Sequence, residues 1–186
     1  MSTFKPIIFT NRDMTITQDI PKFTYFKASI NCYTFKVPKI KAWVIAQCEG
    51  KTVLNLFCGP TMLANCRESR NDLTEEFPAN YHMDALECIR MIRDAGDDYV
   101  KFDVVLLDPP YSYRKSMEFY KGHLNSKFKQ ILDIVPEILD PNGKVITFGY
   151  CASYMGKCRG FEPKEILVID HSGAIHATLA IVEGRI

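Results

Sequence analysis

Four consecutive residues, Asp108-Pro109-Pro110-Tyr111, combine a carboxylate, a carbonyl stiffened by tandem prolines and an aromatic face. That combination suits one difficult nucleophile, the exocyclic amine of a nucleobase, whose lone pair is delocalised into the ring. Asp108 and the Pro109 carbonyl can each accept one amino hydrogen. Together they draw the nitrogen toward a tetrahedral shape with its lone pair directed at an electrophile. The prolines fix φ and hold the carbonyl in place. Tyr111 offers a face on which an extruded base can stack. Positioning is the main work when the electrophile is already activated. Asp-Pro-Pro is also a common turn, so the tetrapeptide takes its meaning from where the chain puts it.

A second group of residues precedes it. Phe57-Cys58-Gly59-Pro60 follows the apolar run Val53-Leu54-Asn55-Leu56. A glycine there lets the backbone turn sharply and approach a ligand closely. The three-glycine spacing of a dinucleotide fingerprint is absent, and alone such a loop is an ordinary strand-to-helix turn. Asp72 and Asp84 stand at the ends of two further strand candidates. One carboxylate at a strand end can accept both hydroxyls of a ribose, and a second can accept an adenine amino hydrogen. The plain alternative for Asp84 is a helix cap. Beyond the tetrapeptide, Tyr113, Arg114 and Lys115 join Tyr111 as expected substrate contacts, the two cations on flanking phosphates.

The elements that must position these groups are legible in outline. Lys39 to Cys48 has helical spacing, with Ile40, Trp43, Val44 and Cys48 on one face, and Gly50 stops it. Val53–Phe57 and Phe102–Leu107 are apolar runs suited to strands buried on both faces of a parallel sheet. Residues 60–68 read as a short helix or turn, 79–84 as a short strand end, and 85–95 and 127–139 as helices. Asp140-Pro141-Asn142-Gly143 reads as a turn in which Asn-Gly tolerates positive φ. Strands follow at 144–148, 166–169 and 177–182, the last two as an antiparallel hairpin at the sheet edge. Strands alternating with helices imply a parallel, doubly wound α/β sheet. In such a sheet the ligand lies beyond the carboxyl ends of the strands, where both the Gly59 loop and Asp108 fall.

The pair of segments Val53-Leu54-Asn55-Leu56-Phe57-Cys58-Gly59-Pro60 and Val104-Val105-Leu106-Leu107-Asp108-Pro109-Pro110-Tyr111 resembles class I S-adenosylmethionine-dependent amino-methyltransferases. More narrowly, it is similar to small adenine-specific DNA methylases. The resemblance runs from about Trp43 to the C-terminus. It implies a three-layer Rossmann-like fold with a seven-stranded, mostly parallel sheet and an antiparallel last strand. It implies S-adenosylmethionine as cofactor, held by Asn55, Phe57, Cys58, Gly59, Pro60, Asp72, Asp84 and Asp108. It implies N6 of adenine in DNA as the favoured acceptor. Two positions depart from the pattern: Asn55 and Thr61 stand where the family usually has Asp and a second Gly. RNA base amino-methylation is the nearest alternative. Glutamine amide methylation would usually bring Asn at 108, and a catalytically silent partner subunit of the same fold is a further reading.

The remaining features bound the partners. The 186 residues suit one domain, divided as an N-terminal extension over 1–38 and a catalytic unit over 39–186. Formal net charge is +1, yet residues 1–47 hold seven Lys/Arg against two Asp. Phe23, Tyr25, Phe26, Lys27, Tyr33 and Lys36 form a candidate aromatic-basic surface for nucleic acid, DNA favoured over RNA. Only 32 residues separate Tyr111 from Lys144. Target reading is therefore expected from the extension, from residues 112–126, or from a homodimer mate or companion specificity subunit. No membrane span and no signal-peptide core is evident, so a cytoplasmic protein is expected. The seven cysteines lack metal-ligand spacing, Cys151 and Cys158 read as structural thiols, and His171 and His176 read as structural.

Overall fold

A computed structural model describes residues 20–96, 100–110, 128–174 and 176–186. The apolar runs become the middle of one sheet. Strand β2 (Thr52–Asn55), β5 (Phe102–Leu107) and β6 (Leu139–Gly149) lie side by side, flanked by β3 (Arg67–Asp72) and β4 (Tyr81–His82) on one side. On the other side come β8 (Thr178–Arg185), β7 (Phe161–Asp170) and β1 (Lys22–Lys27). The order is β1-β7-β8-β6-β5-β2-β3-β4. All pairings are parallel except those of β8, which runs antiparallel to both β6 and β7. This is a mostly parallel Rossmann-like sheet with its last strand reversed. It has eight strands rather than seven, because β1 joins β7 at the edge.

Helices cover both faces. Helix α1 (Pro38–Cys48) begins on a proline, whose fixed φ suits the first helical position, and ends before Gly50 at φ +70°. Ile40, Val44 and Cys48 pack with Val53, Val104, Leu106 and Phe148 on one face of the sheet. On the other face α2 (Ala85–Asp94) and α3 (Phe128–Ile138) enclose Leu54, Val105, Leu107 and Val145. Strand residues 104–107 are fully buried, which explains why they read as an unbroken apolar run rather than an alternating one. Burial of each such side chain contributes about 1.5–3 kcal/mol. None of the helices among the described residues is long and apolar enough to cross a membrane.

Of the two readings of 60–68 the turn holds: the chain bends through Asn65 (φ +62°) into β3. Two local expectations give way. Asp140–Gly143 is the start of β6, with an irregular register against β5, and neither Asn142 nor Gly143 has positive φ. Glycine is required at 143 for space instead, since a Cβ there would stand 2.6 Å from the Leu139 Cγ. The hairpin of β7 and β8 does not close the edge: β8 inserts between β6 and β7, and β1 forms the edge.

Candidate active site at the tips of β2, β3 and β5

Strands β2 and β5 pair in register, Leu54 with Val105 and Asn55 with Leu106. The Leu56 N–H continues the ladder onto the Leu106 carbonyl at 3.1 Å. The Phe57–Pro60 loop and Asp108-Pro109-Pro110 therefore leave neighbouring strands at the same edge of the sheet. Asp108, Pro109 and Pro110 are all half-buried there. Tyr111, Tyr113, Arg114 and Lys115 lie outside the described residues.

The loop after β2 is shaped by polar groups from β3. Gly59 turns at φ +55° and gives its N–H to Asp72 Oδ2 at 2.9 Å, while the Cys58 N–H goes to the Asn71 carbonyl at 3.0 Å. The Arg70 guanidinium, almost completely buried, donates to the carbonyls of Gly59, Thr61 and Pro78, each at 2.8 Å. It also pairs with Glu68 Oε2 at 3.1 Å, an oxygen that accepts the Leu63 N–H as well. The buried charge is thus matched by a carboxylate and by the carbonyls that the loop would otherwise leave unpaired. Glu68, Arg70 and Asn71 were not singled out as site residues, because the polar strand candidate before Asp72 gives no sign of which of its charges are buried.

Asn55 belongs to this network. Its Nδ2 donates to Glu68 Oε1 at 2.8 Å, and its Oδ1 is buried without a partner. Asn71 has the same signature: Nδ2 donates to the carbonyls of Leu56 and Met83, and its Oδ1 is unpaired. Cys58 is buried, and burial pushes its thiol up to about 12, so it fills space as a neutral thiol. Phe57 packs against the core that contains α2 and α3.

Two acids mark the tips of neighbouring strands. Asp72 ends β3 and is buried; Oδ2 accepts from Gly59 and Oδ1 from the Thr74 N–H at 3.1 Å. Asp84 follows β4 half-exposed and caps α2, with Oδ1 accepting the Leu86 N–H at 2.9 Å. The helix-cap alternative therefore holds for Asp84. A carboxylate has about four lone-pair sites, so neither contact exhausts its capacity to accept hydroxyl groups.

The aromatic-basic set divides among three places. Phe23 and Tyr25 are 68% and 56% exposed on edge strand β1, while Phe26 packs into the core under α1. Tyr33 stands elsewhere, edge-on to Phe77 with centroids 5.6 Å apart and with Lys36 Nζ 4.6 Å over its ring. A Cβ at Gly59 would lie 3.9 Å from that ring, so Tyr33 closes over the glycine loop. The set is not one continuous surface. All seven cysteines are free thiols, and Cys151 and Cys158 are exposed rather than structural.

No family model matches the chain, and no curated protein matches it in sequence. Solved structures match it in fold. A Streptococcus mutans protein described as a SAM-dependent methyltransferase superposes with a TM-score of 0.53 at 15% identity, over 78% of this chain and 48% of its own. TrmN from Thermus thermophilus gives 0.54 at 14% identity, over 81% of this chain and 49% of its own. The methyltransferase SMU.776, crystallised with SAH, gives 0.52 at 12% identity, over 78% and 48%. The chain thus spans about half the length of these structures and shares the fold of SAM-dependent methyltransferases.

Proposed function

We propose that this chain transfers a methyl group from S-adenosylmethionine to the exocyclic amino nitrogen of a nucleobase, with N6 of adenine in DNA favoured. One observation carries the reading: Asp108-Pro109-Pro110 leaves β5 beside the glycine loop that leaves β2, the two strands being paired through Asn55 and Leu106. The residues present fit the cofactor. A glycine at positive φ lies beside acids at two neighbouring strand tips, and two buried amide oxygens, Asn55 Oδ1 and Asn71 Oδ1, lack partners among the described residues. Gly59 and Pro60 would border it, Asp72 would accept ribose hydroxyls and Asp84 an adenine amino hydrogen. When bound, S-adenosylmethionine supplies an activated methyl group on a sulfonium.

The chain's own contribution is orientation. Asp108 and the Pro109 carbonyl hold the two amino hydrogens, and Tyr111 stacks the base. As the nitrogen gains its methyl group it becomes acidic, and Asp108 accepts the released proton. Tyr113, Arg114 and Lys115 meet the flanking backbone. Arg70 ties back the carbonyls of Gly59 and Thr61 and so fixes the loop beneath Tyr33.

Incubation with tritiated cofactor and separate pools of DNA, RNA and protein tests the reading. Label is expected in DNA; label in RNA moves the acceptor, and label in protein alone overturns the nucleobase assignment. Asp108→Ala should bind cofactor within about threefold of the parent by calorimetry. It should lose at least about 100-fold in methyl transfer, the scale of one positioned acid–base group.

A further inference from the structure

Next to the tripeptide, at the tips of β6, β7 and β1, lies a hollow of about 250 Å³. Its location follows from register. Leu107 pairs with Thr147, and Pro110 and Tyr150 each stand three residues beyond those positions, past the ends of β5 and β6. On the other side Gly149 pairs with Leu179, which brings Tyr150 beside Thr178. The hollow is smaller than the roughly 300–1,000 Å³ of drug-sized sites, so it takes one small group.

Its lining says which kind. Val37 and Ile40 form an apolar floor, both buried in the core. Tyr150 and His176 stand at the mouth with ring centroids 5.6 Å apart and planes tilted by 50°. Tyr150 is 49% exposed and the neighbouring Ile30 62%. One wall is fixed by His171, whose Nδ1 lies 3.0 Å from the Ala28 carbonyl and whose Nε2 lies 2.9 Å from Thr178 Oγ1. Asn31 accepts the Tyr33 N–H through Oδ1, which directs its amide donor elsewhere. Among the described residues no carboxylate lines the hollow. A second hollow of about 620 Å³ shares Ser29, Ile30, His171 and Ala174 with the first and adds Lys27, Ser172 and Gly173. Among the described residues its one formal charge is the Lys27 ammonium, 3.8 Å from Asp170.

An aromatic-mouthed, mostly apolar slot opening onto a trough edged by an exposed lysine matches a base on a sugar-phosphate chain. We propose that the smaller hollow binds an unpaired nucleobase neighbouring the methylated one, stacked on Tyr150 and His176, with its phosphate in the Lys27 trough. The proposal rests on the nucleobase-methyltransferase reading and adds the residues that read the flanking position.

The test uses fluorescein-labelled, mixed-sequence single-stranded dodecamers of DNA and of RNA, with AMP as competitor, on the full chain. Tyr150→Ala and His176→Ala should each weaken dodecamer binding about 5- to 150-fold, the range for loss of one stacked base. Ala174→Trp, which fills the hollow from its exposed rim, should do the same. Each variant should keep the parent's melting temperature and cofactor affinity. Competition by AMP as strong as that by unlabelled dodecamer would assign the hollow to a free nucleotide and overturn the flanking-base role. Unchanged dodecamer affinity in folded Tyr150→Ala and Ala174→Trp, or a parent that binds cofactor but no dodecamer, would also overturn it while leaving the methyltransferase reading intact. A parent that binds dodecamer through Tyr150 but never binds cofactor would remove the methyltransferase reading and keep the hollow as a nucleobase site.

Discussion

At position 55 an aspartate would place its carboxylate where Asn55 Nδ2 now stands, 2.8 Å from Glu68 Oε1. Glu68 is needed for Arg70, and Arg70 for the carbonyls of Gly59 and Thr61. The asparagine at 55 thus has a local cause: the neighbouring strand already supplies the acid, and only a donor can face it. Asn55→Asp sets two carboxylates side by side in a buried site. One of them must protonate or the loop must shift. The variant should lose on the order of 1–3 kcal/mol at pH 7, the cost of a buried group left unsatisfied. The proton it takes up is bound more tightly folded than unfolded. Its deficit should therefore grow with rising pH and shrink as pH falls toward the carboxylate range. Urea unfolding of both proteins at pH 5 and pH 8 measures this; a deficit equal at the two values contradicts the Asn55–Glu68 contact.

Among the elements, β1 and α1 are tied to β7 through one side chain. Glu165 accepts from Thr24 Oγ1 at 3.0 Å, Trp43 Nε1 at 3.2 Å, Gln47 Nε2 at 3.1 Å and Lys22 Nζ at 3.4 Å. Burial pushes the Glu165 carboxyl up, but the hydrogen bonds from Trp43 and Thr24 and the charge of Lys22 outweigh it and hold the group below its ordinary value. A carboxyl lowered by folding stabilises fully above its unfolded value and loses that contribution as pH falls through the folded one. Glu165→Gln should accordingly be less stable at pH 7, by on the order of 1–3 kcal/mol. The gap should narrow as pH falls below the ordinary glutamate value of about 4.3 and close once pH has passed the lowered folded value, where the parent's own carboxyl is protonated. Amide exchange over residues 22–27 should accelerate in the variant at pH 7. An unchanged exchange rate there would mean that Glu165 does not hold β1 in place. This strand also explains what the sequence concealed. Lys22–Lys27 alternates correctly for an edge strand, yet its aromatics and lysines equally suit a nucleic-acid surface, and periodicity cannot name the pairing partner. The central runs were legible because burial on both faces leaves no room for polar residues. The Gly59 loop and Asp108 were legible because each punctuates such a run. The Glu68–Arg70 pair was not, since a buried ion pair and a solvated charge run have the same composition.

For the molecule as a whole, the sheet order brings the tips of β2, β3, β5, β6, β7 and β1 to one edge, and there the net charge of +1 is a poor guide to the local field. The basic excess of residues 1–47 is partly consumed by the fold. Lys22 is committed to Glu165, and Lys39 donates to the Lys27 carbonyl. Lys27 and Lys36 are exposed at this edge, one in the trough beside His171 and the other over Tyr33 by the glycine loop. If nucleic acid runs along this edge, Lys36 and Lys27 meet phosphates, Lys27 exchanging its 3.8 Å contact with Asp170, whereas Lys22 begins β1 at the opposite end of the strand and does not. Each phosphate neutralised on a single strand contributes about −0.7 to the slope of log affinity against log salt. Dodecamer titrations between 50 and 200 mM salt should give a slope about 0.7 shallower in Lys27→Ala and in Lys36→Ala than in the parent. Lys22→Ala should keep the parental slope even as it loosens β1. Slopes indistinguishable across all three variants would move the nucleic acid to another face, because the charges lining the proposed path would then carry none of the counterion release.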